Sequence, residues 1–252
     1  MTDSKTVFTD YEYDLWVDRE GLEPGERFLI ERHLDPQAKT LEAGAGGGRL
    51  LLAMQARGFG DLHGFDFVPE MVEAARGRDR SGTIDFQVHD ATEPGYDDVS
   101  FDQLVYLQQV LCFLPTEDGR RHALEQAYRM LRPGGTIVIS LLSFRARNQS
   151  WLYKPMMGYL RLFRAITGAR RSMQYMPWLR LSDSTNWGAL LDRGPYVYWF
   201  REREANDLLA SVGFKIAAAG SDAQVDAGRL CDNVAELEAG PFRGRLYLVC
   251  RK

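Results

Sequence analysis

The chain has 252 residues, 45% hydrophobic and 26% charged, with 31 Lys and Arg against 35 Asp and Glu for a net charge of −4. Those values suit one soluble globular domain with room for an insertion. No apolar run approaches the roughly 20 residues of a membrane-spanning helix, and three widely spaced cysteines (Cys112, Cys231, Cys250) give neither a disulfide framework nor a zinc pattern. The polar, acidic opening from Met1 to Asp14 argues against a secretory signal, so a cytoplasmic location is the expectation. Charge is unevenly spread: residues 1–36 sum to −6, whereas residues 145–180 hold 8 bases and no acid.

From Lys39 to Ser143 short apolar runs alternate with segments of helical period. Thr40 to Ala43 reads as a strand ending in glycines, and Arg49 to Arg57 as the helix after it. Leu62 to Phe65 is a second strand, followed by a helix from Pro69 to Arg76 with proline in its first turn. Ile84 to Val88 alternates at the strand period, and Phe101 to Leu107 is a fourth strand. Glu117 to Leu131 is a helix, stopped by Arg132-Pro133-Gly134-Gly135 before a strand from Thr136 to Leu142. Alternating strands and helices imply a parallel sheet with right-handed crossovers. Periodicity then degrades over residues 145–195. It returns in a helix from Arg201 to Val212, closed by Gly213, with closing strands at Phe214 to Ala219 and Arg245 to Cys250.

The informative motif is Leu41-Glu42-Ala43-Gly44-Ala45-Gly46-Gly47-Gly48-Arg49. Clustered glycines after a strand let the backbone approach a ligand, and N–H groups at the next helix start can bind it. Eighteen residues beyond Gly48, Asp66 closes the second strand, where a carboxylate can accept both hydroxyls of a ribose. Arg49 stands where the dinucleotide pattern G-x-G-x-x-G wants its last glycine, which weakens a pyrophosphate-binding reading.

With these residues the chain resembles the class I S-adenosylmethionine-dependent methyltransferases. Glu42, Gly44, Gly46 and Gly48 match their first motif, Asp66 their second, and Asp90-Ala91 the acid closing strand three. Tyr106-Leu107-Gln108-Gln109 matches the segment beside the methionine moiety, and Leu131 to Gly135 the turn before strand five. The resemblance covers about residues 38–144, with weaker echoes at 200–216 and in the final strand. It implies a Rossmann-like α/β fold of seven strands, mostly parallel with the last antiparallel and helices on both faces, plus a helical cap insertion. The corresponding division is an N-terminal helical lid segment (1–36), a cofactor-binding core (37–144), a basic aromatic cap (145–195) and the rest of the core sheet (196–252).

The resemblance also assigns roles. Asp66 would hold the ribose of S-adenosyl-L-methionine, with Phe67 or Val68 against the adenine; Asp90 would take the adenine amino group beside Ala91. Glu42 and the glycine loop would hold the methionine end, flanked by Leu107 and Gln108. Met71 reads as cofactor wall or as core. Candidates to face the acceptor are Gln109 and Cys112 after strand four, Tyr13 and Trp16 (with Tyr11) in the N-terminal segment, and Trp151 and Tyr153 in the cap. Cys112 also reads as a buried thiol. No catalytic base stands out: His33, His63 and His122 read as surface or locally bonded, and His89 as a neighbour of the adenine site. No metal site, H-E-x-x-H, G-x-S-x-G or P-loop is present in the sequence.

The implied activity is methyl transfer to a small-molecule acceptor by in-line displacement, in which the protein positions the nucleophile and excludes water. A non-catalytic cofactor-binding or regulatory protein is the alternative, and a nicotinamide-dependent oxidoreductase is disfavoured by Arg49. Four readings fit the basic stretch 145–180. Its arginines pair with the acidic N-terminal segment; they draw an anionic acceptor; they touch an anionic membrane carrying a lipid-like substrate; or they hold RNA, which the overall acidity disfavours. Oligomeric state is not legible.

Overall fold

Strand β1 (Thr40–Ala43) is buried along its whole length, as expected of the middle of a parallel sheet covered on both faces. Of the 252 residues, the computed structural model describes 13–17, 19–179 and 187–252. Beside β1 lie β2 (Leu62–Asp66) and β3 (Asp85–Val88) on one side, β4 (Phe101–Tyr106) and β5 (Leu131–Leu142) on the other. Later in the chain come β6 (Tyr175–Pro177), β7 (Tyr196–Tyr198), β8 (Lys215–Ser221) and β9 (Arg245–Arg251). The main sheet runs β3-β2-β1-β4-β5-β9-β8. Pairings from β3 to β5 are parallel, whereas β9 runs antiparallel to both β5 and β8. This is the expected seven-stranded Rossmann-like sheet.

Helices α1 (Tyr13–Val17) and α2 (Pro24–His33) precede β1; α3 (Arg49–Gln55) and α4 (Pro69–Arg78) follow β1 and β2. A short α5 (Val110–Phe113) and the longer α6 (Glu117–Met130) follow β4. Two clusters of buried side chains cover the sheet, one built on Phe101, Leu124 and Ile139, the other on Leu29, Leu51 and Val249. The chain leaves β1 toward β2 on one side and later returns to place β4 on the other. A crevice opens at such a switch point, outside the carboxyl ends of the strands.

Two boundaries differ from the sequence reading. The Arg132 to Gly135 turn lies inside β5: Leu131 already pairs with Phe101, and the register shifts before Thr136 joins Gln103. Gly134 takes a left-handed conformation there, so the residues that look like a breaker form an irregularity in a continuous strand. Between β8 and β9 stand α10 (Asp222–Asp226) and α11 (Val234–Ala239), at five and six residues too short for a periodic signal.

The insertion holds α7 (Phe144–Gln149), α8 (Lys154–Thr167), a 3-10 turn (Trp187–Leu191) and the β6–β7 ribbon, and α9 (Glu202–Val212) resumes the core. Its ends are tied together, because the Phe144 N–H donates to the Phe200 carbonyl and the Phe200 N–H to that of Leu142. It therefore reaches Phe200, beyond the expected limit at 195. Arg120, buried on α6, locks the ribbon to the core. Its guanidinium lies 3.7 Å from the centre of the Tyr198 ring and donates to the Tyr175 hydroxyl at 2.9 Å.

Gly48 shows how tightly the first helix is seated. Its φ is +78°, and a Cβ there would meet the Phe86 ring at 2.9 Å and the Ala75 Cβ at 3.0 Å. Gly48→Ala combines backbone strain with a collision in a packed core, so a loss of about 1–3 kcal/mol is expected. Urea denaturation followed by circular dichroism measures it; an unchanged midpoint would show that the loop can shift.

Candidate active site

A cavity of about 450 Å³ occupies the crevice at the switch point, within the size range of small-molecule sites. One wall is the glycine loop. Gly44 has φ +69°, and a Cβ there would lie 2.8 Å from a Val110 methyl, so only glycine lets α5 close over the loop. Asp66 stands opposite at the end of β2. It accepts from the Gly46 N–H at 2.9 Å and the Val68 N–H at 3.0 Å. Burial pushes its carboxyl above the usual range, and the backbone N–H groups of Val68, Gly46 and Phe67 pull it back. Three backbone donors leave at least one of the four carboxylate lone pairs for another donor.

Of the residues singled out in the sequence, the cavity wall takes Trp16, Gly44, Gly46, Asp66, Phe67, Met71, Asp90, Ala91 and Gln108. Asp90 uses Oδ1 for the Thr92 N–H (2.8 Å) and hydroxyl (2.6 Å), a local Asx turn. Sequence reasoning did not place Arg49, Val110, Phe113, Leu114 and Pro115 in the wall, where they stand with His89. The apolar run from Val110 to Pro115 was the available signal, but whether α5 faces a ligand or the core depends on backbone aim.

That aim is set by Gln109. It adopts a left-handed conformation (φ 54°) as the residue preceding α5, uncommon for a non-glycine residue. Its amide donates to the Leu107 carbonyl at 3.0 Å and the Ser140 hydroxyl at 2.9 Å, so the side chain is spent on β5 while Gln108 lines the cavity. Leu107 and Cys112 are fully buried in the core. The Leu142 N–H points at the Cys112 sulfur, and burial pushes that thiol up to about 12, which leaves it protonated and unreactive at neutral pH. Gly48 packs under the loop and does not face the cavity.

The N-terminal segment is strapped across the glycine loop. Arg78 donates to the carbonyls of Val17, Gly47 (3.0 Å) and Arg19 (3.0 Å), and Arg49 to that of Gly21 at 2.7 Å. Trp16 reaches the cavity from this strap, while the Tyr13 hydroxyl donates to the Glu70 carbonyl at its edge. Tyr11 lies outside the described residues. In the insertion, Trp151 is exposed and Tyr153 lines a separate cavity, so neither meets the first.

Glu42 is fully buried directly behind the loop, and neither oxygen has a well-formed hydrogen bond among the described residues. Burial holds its carboxyl well above the ordinary value; Arg49 opposes this, and Glu26 and Asp66 add to it. Arg49 is itself committed to Glu26 by two hydrogen bonds of 2.6 and 2.7 Å.

Residues 41–139 match a family model described as a methyltransferase domain. Residues 41–139 are thus a methyltransferase domain, and the fold around them is that of the class I S-adenosylmethionine-dependent enzymes. The methyltransferase domain shares its fold with an S-adenosylmethionine-dependent methyltransferase of Methanosarcina mazei. That likeness has a TM-score of 0.66 at 21% identity, over 92% of this chain and 98% of the other. Among curated proteins, the chain is 22% identical to EEF1A lysine methyltransferase 2 of Danio rerio over 56% of this chain and 64% of that one. It is 25% identical to phosphoethanolamine N-methyltransferase of Plasmodium falciparum, over 50% and 47% of the two lengths. The chain covers less than two thirds of each of these curated relatives. The family match sets the nicotinamide reading aside.

The residues fit the cofactor. Gly44 and Gly46 leave space that a side chain would fill, Asp66 keeps acceptor capacity, and Glu42 is a buried carboxyl beneath the loop with no hydrogen-bond partner among the described residues. A carboxyl whose folded value is raised binds more protons folded than unfolded, so stability falls as pH rises from the unfolded value through the folded one. Glu42→Gln removes that loss. The variant should melt no lower than wild type near pH 5 and progressively higher by comparison toward pH 8, while binding S-adenosylmethionine more weakly. Thermal scans across pH with calorimetric titration test both, and a constant melting difference would mean that Glu42 does not titrate in this range.

Proposed function

We propose that the chain transfers the methyl group of S-adenosylmethionine to a small-molecule acceptor that carries an anionic group. The observation behind the transfer reading is Asp66, a buried carboxylate with an open lone pair facing the glycine loop across the 450 Å³ cavity. When bound, the cofactor supplies a methyl group on a sulfonium, which an acceptor's lone pair takes as the carbon–sulfur bond breaks. Asp66 would accept from the ribose hydroxyls, and Asp90, with its second oxygen uncommitted by the turn, would meet the adenine amino group. Glu42 would face the methionine ammonium through the glycine loop. Gln108, Val110, Phe113 and Leu114 form the wall on the acceptor side. Their apolar surfaces exclude water, and orientation alone can supply about 7–11 kcal/mol.

The anionic part of the reading comes from a second cavity of about 510 Å³, at the end of β5 and the start of β9; it shares no lining residue with the first, so it would take the far end of an extended acceptor. Arg147, Arg243 and Arg245 line it together with Tyr153, Trp199 and Phe242. Arg245 is paired with Glu23 at 2.5 Å, and Arg243 with Asp226. Arg147 rests on the faces of Tyr153 (3.4 Å) and Trp199 (4.6 Å), and its buried Nε has no hydrogen-bond partner. A guanidinium stacked on aromatic faces, sharing a hydrogen bond with Tyr153 but with its Nε unpartnered among the described residues, retains donors for an oxyanion. The name of the Plasmodium relative makes phosphorylated amines the first acceptors to try.

Calorimetry and a methylation assay across phosphorylated, carboxylated and neutral amines test both parts. Asp66→Asn should weaken S-adenosylmethionine binding at least tenfold, because one acceptor oxygen becomes a donor. Arg147→Met should raise KM for anionic acceptors several-fold, with kcat and neutral acceptors little changed. Unaltered cofactor affinity in Asp66→Asn removes Asp66 from the site. An equal effect of Arg147→Met on all acceptors removes the anion from the reading, and cofactor binding without methylation of any acceptor overturns the transfer itself.

A further inference from the structure

Helix α8 divides its residues between two faces. Met157, Leu160 and Arg164 point inward, and the buried Arg164 grips Asp192 through two hydrogen bonds of 2.7 Å while donating to the Tyr175 carbonyl at 2.7 Å. Removing either partner would strand a buried charge, so this ion pair fixes the rotation of the helix about its own axis. The opposite face is apolar and turned to solvent. Pro155, Tyr159, Leu162 and Ile166 recur there at helical spacing, about 17 Å from end to end. Leu162 is 63% exposed and Ile166 75%. The stripe is extended at one end by Trp151 (78% exposed) and Leu152. Beside Tyr159 lies the 3-10 turn carrying Trp187 (68% exposed) and Leu191, whose Leu190 carbonyl accepts from the Tyr159 hydroxyl.

A contiguous apolar patch of this kind marks an interaction surface. Its chemistry names the partner. Lys154, Arg161, Arg170 and Arg171 border it, all exposed, and the stretch 145–179 contains no acid. Lys154 and Arg170 form no ion pair among the described residues, and Arg171 lies on the Tyr196 ring at 3.6 Å. Tryptophan and tyrosine beside leucine and isoleucine, rimmed by long cations, match the headgroup region of an anionic bilayer. No described helix is long and apolar enough to cross a membrane. We infer that the outer face of α8 seats the protein on the surface of an anionic lipid membrane, lying in the interface plane. The docking face is separate from the cofactor cavity, whose wall includes no described residue of the insertion.

The test is co-sedimentation of the full chain with vesicles of phosphatidylcholine alone and of phosphatidylcholine mixed with phosphatidylserine. Binding to the mixed vesicles should be at least tenfold tighter and be released by salt, and brominated acyl chains should quench tryptophan fluorescence. Leu162→Glu with Ile166→Glu places two charges on solvent-facing positions, so the fold should survive while vesicle binding is lost. Lys154→Ala with Arg161→Ala and Arg170→Ala should erase the preference for phosphatidylserine. Failure to bind either vesicle overturns the inference, as does undiminished binding by the Leu162→Glu/Ile166→Glu variant. A concentration-dependent dimer in light scattering that the same variant abolishes would also overturn it, assigning the face to a second copy of the chain.

Discussion

The guanidinium of Arg49 is the contact on which the cofactor side of the molecule depends. It is buried at the first helical position after the glycine loop, bonded bidentately to the equally buried Glu26 and also to the Gly21 carbonyl. One side chain thus joins the helix that follows β1 to the helix that precedes it, and holds the N-terminal strap between them. Stranding a charge by deleting either partner of such a pair typically costs about 3–5 kcal/mol. The pair also sets the local field. Glu26 takes most of what Arg49 can offer, and Glu42 behind the same loop is left without a well-formed hydrogen bond among the described residues and with its carboxyl raised. Structural neutralisation is complete for one carboxylate and deliberately incomplete for the next.

Backbone conformation does the remaining positioning. At the carboxyl end of β1, glycine permits the close approach of α5. At the carboxyl end of β4, a left-handed Gln109 turns the chain so that Gln108 faces the cavity and Gln109 faces β5. The two turns lie on neighbouring strands, either side of the place where the sheet order reverses. A single geometric fact, the departure of consecutive connections in opposite directions, therefore creates both the opening and its two walls.

What was legible in the sequence follows the range of each signal. Strands β1 to β4, the body of β5 and helices α3, α4 and α6 carry apolar periodicity, and Asp66 is located by spacing from the glycines, so both could be read directly. The Arg132 to Gly135 segment looked like a boundary because glycine and proline are local signals, whereas its membership of β5 is decided by pairing with Phe101 across the sheet. Gln109 and Cys112 occupy the right stretch for acceptor contacts, yet one is consumed by Ser140 and the other is sealed in the core. Neither outcome is encoded in neighbouring residues. Trp151 and Tyr153 were read as a pair; two positions apart in an irregular segment, they diverge to bare surface and to the second cavity.

The basic insertion shows why net charge is a poor guide until each cation is followed to its partner. Pairing with the acidic N-terminal segment, one reading of the sequence, is not observed among the described residues: the acids there engage Arg19, Arg49, Arg57, Arg78 and Arg245 instead. Within the insertion, Arg164 is cancelled by Asp192 and Arg145 donates to the carbonyls of Glu238 and Gly240 at the C-terminal end of α11. Those two build structure. Arg147 is held by ring faces, which stabilise the cation while its Nε stays unpartnered among the described residues. Lys154, Arg161 and Arg170 stand on the surface around exposed leucine, isoleucine and tryptophan. A stretch that reads as one basic block therefore separates into cations that fold the insertion, one that waits in a cavity, and a rim that faces outward. It is the second and third groups, not the sum, that bear on what this protein meets.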